Sequence, residues 1–213
     1  MKRILITAFF PVILLLISAC KDEITNEIKL PEDAFTAQEK IITEKGWQEF
    51  EDNDYSAASS SFKSAISKNS LYDDAYNGLG WSYIKLDSLE FARRNLSLAI
   101  ISSTNQAVLR DAYAGRSFVN LAEEKYSEAI LDANYALKWS SNYYYTFEDY
   151  IFRHDFDITE KDLLIVKAES YYMMQEYASC FAMLQLIDET MEPDIVSDPE
   201  KMGAILEILK QSN

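Results

Sequence analysis

Histidine, cysteine and positive charge are all scarce in this chain of 213 residues. The single histidine, His154, and the two cysteines, Cys20 and Cys180, form no HExxH or CxxC string. They cannot close a zinc site without carboxylates, so no metal is expected. Basic residues number 20 against 35 acidic ones, a formal net charge of −15. Neutralising phosphates needs a basic patch, and none is visible, so nucleic acid is not an expected partner. Ser60-x-x-Lys63 and Ser82-x-x-Lys85 fit an S-x-x-K string but lack its companion motifs. His154 lies between Arg153 and Asp155. A general base oriented by Asp155 is the reactive reading, and a structural histidine among charges is the favoured one. No catalytic residue and no cofactor are expected.

What the chain has in plenty begins at its N-terminus. Lys2 and Arg3 precede a sixteen-residue apolar run, Ile4 to Ala19, broken by Pro11. The run is shorter than the roughly 20 residues that cross a bilayer as a helix. A positive start, a short apolar core and small residues at its end mark a secretory signal. Its last residues, Ile17-Ser18-Ala19-Cys20, resemble the bacterial lipobox. The resemblance implies cleavage before Cys20, a diacylglycerol on its thiol and acylation of the new amino group, leaving a membrane anchor. Lys21-Asp22-Glu23 resembles the Lys-acid-acid signal by which one group of Gram-negative bacteria exports lipoproteins to the cell surface. The expected location is therefore the outer membrane, lipid-anchored, facing the periplasm or the cell exterior. Residues 1–19 are then the cleaved signal, and residues 20–38, polar and carrying Pro31, a tether. Loss of Lys2 and Arg3 moves the net charge from −15 to about −17. With Cys20 lipidated, Cys180 is the remaining thiol and no internal disulfide can form.

Beyond the tether a period of 34 residues appears: Gly46 and Gly80, Trp47 and Trp81, Ala58 and Ala92, Phe62 and Leu96, Ala65 and Ala99. A third copy carries Ser117, Tyr126, Ala129, Ala133 and Ala136, and a fourth Ala168, Tyr171, Tyr177, Cys180, Leu184 and Ile187. The pattern resembles the tetratricopeptide repeat (TPR), with residues 73–106 matching best through Tyr76, Leu79-Gly80, Tyr83, Ala92, Leu96 and Ala99. Residues 39–72, 110–143 and 161–194 match mainly in their second halves. The resemblance implies an all-α, right-handed helical-repeat solenoid of about four helix-turn-helix units. Residues 195–213 would add a C-terminal capping helix, with Asp198 as its N-cap and Pro199 in its first turn. Ala204, Ile205, Ile208 and Leu209 would cover the last unit. Small residues at 46, 80, 117 and 168 let paired helices approach at Ala58, Ala92, Ala129 and Cys180, which makes Cys180 a packing residue. Asp52-Asn53-Asp54, Asp87-Ser88 and Glu123-Glu124-Lys125 fall at the turns. Gly78-Leu79-Gly80 belongs to this pattern; it is not a phosphate loop, for no strand precedes it.

In this repeat class the residue after the small position points into a groove, which here selects Trp47, Trp81, Phe118 and Glu169. Read functionally, these form a trough for a protein or peptide partner. The favoured alternative is that the protein fills its own groove with its C-terminal helix or an insertion. Lysines and asparagines that clamp carboxylates elsewhere are replaced by Thr43, Asn77, Gly78, Asp111 and Ala114, so such a clamp is not expected. The third and fourth copies stand 51 residues apart, which leaves an aromatic insertion at 144–160. Tyr143, Tyr144, Tyr145, Tyr150, Phe152 and His154 are its candidate surface, for sugars or for a protein. The favoured reading is a folded excursion that plugs the groove or packs on the fourth unit. Thr159 and Asp162 have capping-box spacing, and Ile158 and Leu163 staple spacing. The combined expectation is a non-catalytic envelope adaptor for a protein or peptide partner, with surface capture of a glycan or nutrient as the alternative. Oligomeric state is not set by these features.

Overall fold

The computed structural model describes residues 32–137 and 150–211, with side chains from Gln38 onward. Cys20, Lys21, Asp22, Glu23, Tyr143, Tyr144 and Tyr145 lie outside the described residues. The described residues from Gln38 onward form one unit. Its helices are α1 (Glu32–Glu51), α2 (Tyr55–Lys68), α3 (Asp73–Lys85), α4 (Leu89–Ser102), α5 (Gln106–Ala122) and α6 (Tyr126–Leu137). A two-stranded hairpin, β1 (Ile151–Phe152) and β2 (Asp155–Thr159), precedes α7 (Glu160–Met173) and α8 (Tyr177–Ile187). A 3-10 turn at Pro193–Ser197 leads into α9 (Pro199–Gln211).

The helices form consecutive pairs, and each pair packs on the next: α3 with α4, α5 with α6 and α7 with α8, joined by α2 on α3, α4 on α5 and α6 on α7. This is the stacked helix-turn-helix order of a TPR-like, all-α solenoid. The 34-residue period has a steric cause. Phe62 of α2 is wedged between the first helices of two units, with Gly46 on one side and Gly78 on the other. A Cβ at Gly78 would lie 2.2 Å from the Phe62 ring, and one at Gly80 would lie 2.5 Å from Leu96. Ala58, Ala92, Ala129 and Cys180 are completely buried at the matching places on the second helices.

The turns inside the four units share one geometry. Asn53, Asp87, Glu124 and Gln175 adopt φ of 63°, 53°, 60° and 62°. In each, the left-handed residue donates to the carbonyl three back, and the next residue to the carbonyl five back, as in Asn53 to Phe50 and Asp54 to Glu49. That pair of bonds is a Schellman closure, which satisfies carbonyls the helix end leaves open. Glycine normally occupies the left-handed site; here all four are polar residues with a Cβ.

At the C-terminus Asp198 caps α9, its carboxylate accepting from Lys201 N at 3.0 Å. The covering face differs from the expected one. Met202 and Leu206 are buried with Ile205 and Leu209 partly so, whereas Ala204 and Ile208 face solvent. The phase is set by Gly203, which sits so close to Tyr172 that a Cβ would meet its hydroxyl at 2.7 Å. The insertion also holds a β-hairpin, the one sheet among the described residues. Ile151, Phe152, Phe156, Ile158 and Thr159 are aromatic or β-branched, the types that fit a pleated surface. Thr159 and Asp162 complete the capping box of α7.

Candidate functional site

The hairpin lies across the first helices of three successive units. On α3, Asp74, Trp81 and Lys85 are spaced 7 and 11 residues from the first and so share one helical face. Trp47 occupies the corresponding place on α1, and Asp111 stands on α5. Phe152 stacks on the Trp81 indole at 4.1 Å between centroids, and His154 lies flat on Trp47 at 3.7 Å. Phe152 also meets Trp47 and Phe50 edge-on at 6.1 and 6.2 Å. Trp47 and Trp81, expected along the trough, are both buried, as are Tyr150 and Phe152. Phe118 is half-buried, edge-on to Trp81 at 6.1 Å. Glu169 stands apart from this group and pairs with Lys210 of α9 at 2.9 Å.

Between the two stacked rings, Arg153 enters an acidic notch. Its Nε donates to Asp111 Oδ2 at 2.8 Å, while its Nη2 stands 3.6 Å from Asp74 Oδ1. Asp111 also accepts from the Tyr150 hydroxyl at 3.3 Å, and its main-chain carbonyl accepts from the Trp81 indole at 3.1 Å. The Trp47 indole donates to Asp74 Oδ2 at 3.1 Å. At the edges, Lys85 pairs with Asp155 at 2.7 Å and His154 Nδ1 meets Glu51 at 2.8 Å. Asp155, the neighbour weighed as an orienter of His154, is thus engaged by Lys85 instead.

Burial dominates the electrostatics. Asp111 is pushed up from 3.8 to about 6 by desolvation, against which Arg153 and the Tyr150 hydroxyl act. Desolvation holds the His154 imidazole below its usual value, opposed by Glu51. The Cys180 thiol is raised to about 11 by burial. Several polar atoms here have no hydrogen-bond partner in the protein: Thr43 Oγ1, Asp74 Oδ1, both amide atoms of Asn77, and His154 Nε2. Asn77 is completely buried, one helical turn from Asp74 and one from Trp81. Among the described residues no three His, Cys, Asp or Glu side chains gather where they could hold a metal ion. No helix among them is long and apolar enough to cross a membrane.

Sequence reasoning named the aromatic rings but not the acids that hold Arg153. Asp111 stood out only as unsuited to a carboxylate, and Asp74 not at all. The signal lay in charge: two acids on successive first helices and one arginine in the insertion.

These units define a class, the helical-repeat solenoid of TPR type. Among solved structures the chain is similar to a tetratricopeptide repeat protein from Parabacteroides merdae, with a TM-score of 0.51 and 18% identity. The match covers 82% of this chain and 60% of that one, so this chain spans less than two thirds of its length. No family model matches the sequence, and no curated protein matches it.

Proposed function

We propose that this chain is a non-catalytic scaffold, anchored through a lipid on Cys20, that holds a protein or peptide partner in the bacterial envelope. The observation that carries this reading is the docking of Tyr150–Thr159. A solenoid whose first helices grip a short extended segment through two indoles and two carboxylates has the equipment to grip another. The lipobox-like Ile17–Cys20 supports the anchor, and Lys21-Asp22-Glu23 supports an outer-membrane address. Immobilised protein should capture a saturable protein partner from envelope extract, and metabolic labelling with an alkyne fatty acid should mark wild type but not Cys20→Ser. Binding of purified glycans with no protein captured would overturn the scaffold reading. Capture of a glycan by the insertion has less support, because Tyr150 and Phe152 are both buried and turned to the helices.

A further inference from the structure

Deepening the scaffold reading, on which it rests, we propose that Phe152-Arg153-His154 is a built-in stand-in for a partner, and that the groove of α1, α3 and α5 binds an extended peptide carrying an arginine directly after an aromatic residue. Four observations meet here. First, the hairpin is an addition to the repeat stack: α6 packs directly on α7, and the insertion is what lengthens the period from 34 to 51 residues. Second, the hairpin has little stability of its own. It has strands of two and five residues, and its register shifts between Ile151 and Phe152. Its two-residue turn, Arg153-His154, lacks the positive φ that matches such a loop to strand twist. Among the described residues no backbone hydrogen bond runs from 151–159 to α1, α3 or α5, so its docking relies on side chains.

Third, the fit is incomplete in a way that points to another occupant. The arginine bonds Asp111 through Nε but stops 3.6 Å from Asp74, whose Oδ1 is left without a hydrogen bond. Asn77 beside it is fully buried with donor and acceptor both unpaired. Buried groups of that kind are almost always satisfied in native proteins. An arginine free of a two-residue turn can bond both acids, and an extended backbone offers the N–H and C=O that a side-chain amide pairs with. Fourth, charge is complementary: two carboxylates face one guanidinium in a chain of net charge −15, which favours a basic segment over an acidic one. The tethered hairpin thus acts as a gate that excludes weak ligands and yields to one that completes the notch.

A labelled peptide with the sequence of Tyr150–Thr159 tests this against the full chain and its Phe152→Ser/Arg153→Ser variant. A tethered competitor acts at an effective concentration on the order of millimolar, so the variant should bind the peptide about 100-fold tighter than wild type. Replacing the peptide's arginine by alanine, or adding Asp74→Asn/Asp111→Asn to the variant, should weaken binding at least about tenfold, the scale of a lost charge-assisted pair. Arg153→Gln, which leaves both ring stacks in place, serves if the double variant loses its helical circular dichroism. Its affinity should fall between the two. Equal binding by wild type and variant, indifference to the peptide's arginine, or no binding by a folded variant would each overturn the proposal. So would a wild-type dimer that exchanges hairpins, since the occupant would then be a second copy. If no peptide binds but wild type still captures a saturable envelope protein, this proposal falls and the scaffold reading stands.

Discussion

Asp111 sets burial against ion pairing, and substituting it by asparagine decides which wins. Its side chain is 3% exposed, whereas that of its partner Arg153 is 42% exposed. Water screens the arginine and weakens what the pair returns, while the acid bears nearly the whole cost of leaving solvent. Asp111 therefore rises from 3.8 to about 6. A difference of about 2 units corresponds to roughly 3 kcal/mol between the protonated and charged forms. Because the folded pKa lies above the unfolded one, the native state holds the proton more tightly. The associated stability is full below about pH 4 and is lost as the pH rises through about 6. Asparagine imitates the protonated acid and does not titrate. Wild type should thus lose about 3 kcal/mol relative to Asp111→Asn between pH 4 and pH 7, a relative fall in Tm of about 6–12 °C for a domain of this size. Thermal unfolding followed by circular dichroism across that range, read as the difference between the two proteins, cancels the other carboxylates to first order. A flat difference, or one in which wild type gains as pH rises, would refute the reasoning and make the Arg153 pair the stronger effect.

Glu124→Gly and Gln175→Gly should each stabilise the fold by about 0.5–1 kcal/mol, since both residues hold a left-handed φ that a Cβ disfavours. Urea midpoints will show it, and a fall in either midpoint would contradict the strain assigned to these turns. Gly78→Ala places a Cβ 2.2 Å from the Phe62 ring and should cost about 2–3 kcal/mol. In a Phe62→Leu background the same substitution should cost less than half as much; an unchanged cost would place the clash elsewhere. Cys180, completely buried and raised to about 11, should resist thiol reagents at pH 7 until the chain unfolds. Rapid labelling of the native protein would show that α7 and α8 open locally.

The solenoid was legible because its cause is short-range and repeated. A ring such as Phe62 needs hydrogen atoms, not methyl groups, at Gly46 and Gly78, and that need recurs as a spacing anyone can count. Three of the four turns were legible for the same reason, since Asn53 and Asp87 fall one period apart, with φ of 63° and 53°. The hairpin was not. Tyr150–Thr159 has no Asn-Gly turn and no clean alternation. What shapes it lies far along the chain, 70 residues away at Lys85 and 103 away at Glu51. Trp47 and Trp81 illustrate the boundary: periodicity puts them on the groove side of their helices, but only the docked Phe152 and His154 decide that both are dry. On α9 the spacing of apolar residues allowed two faces, and the contact of Gly203 with Tyr172 selects the one bearing Met202 and Leu206.

Repeat arrays ordinarily behave as one-dimensional systems, in which each unit senses only its neighbours and the ends fray independently. The hairpin breaks that rule. It departs from the chain after the third unit, yet touches Glu51 and Trp47 in the first, Asp74, Trp81 and Lys85 in the second, and Asp111 in the third. An end unit cannot peel away without first extracting His154 from Trp47. Three units are thereby tied into a single cooperative block, and Leu163, Leu164 and Val166 of α7 join the same core. Whatever displaces the hairpin does more than occupy a surface: it returns the array to a chain of independent links and changes how pliable the solenoid is.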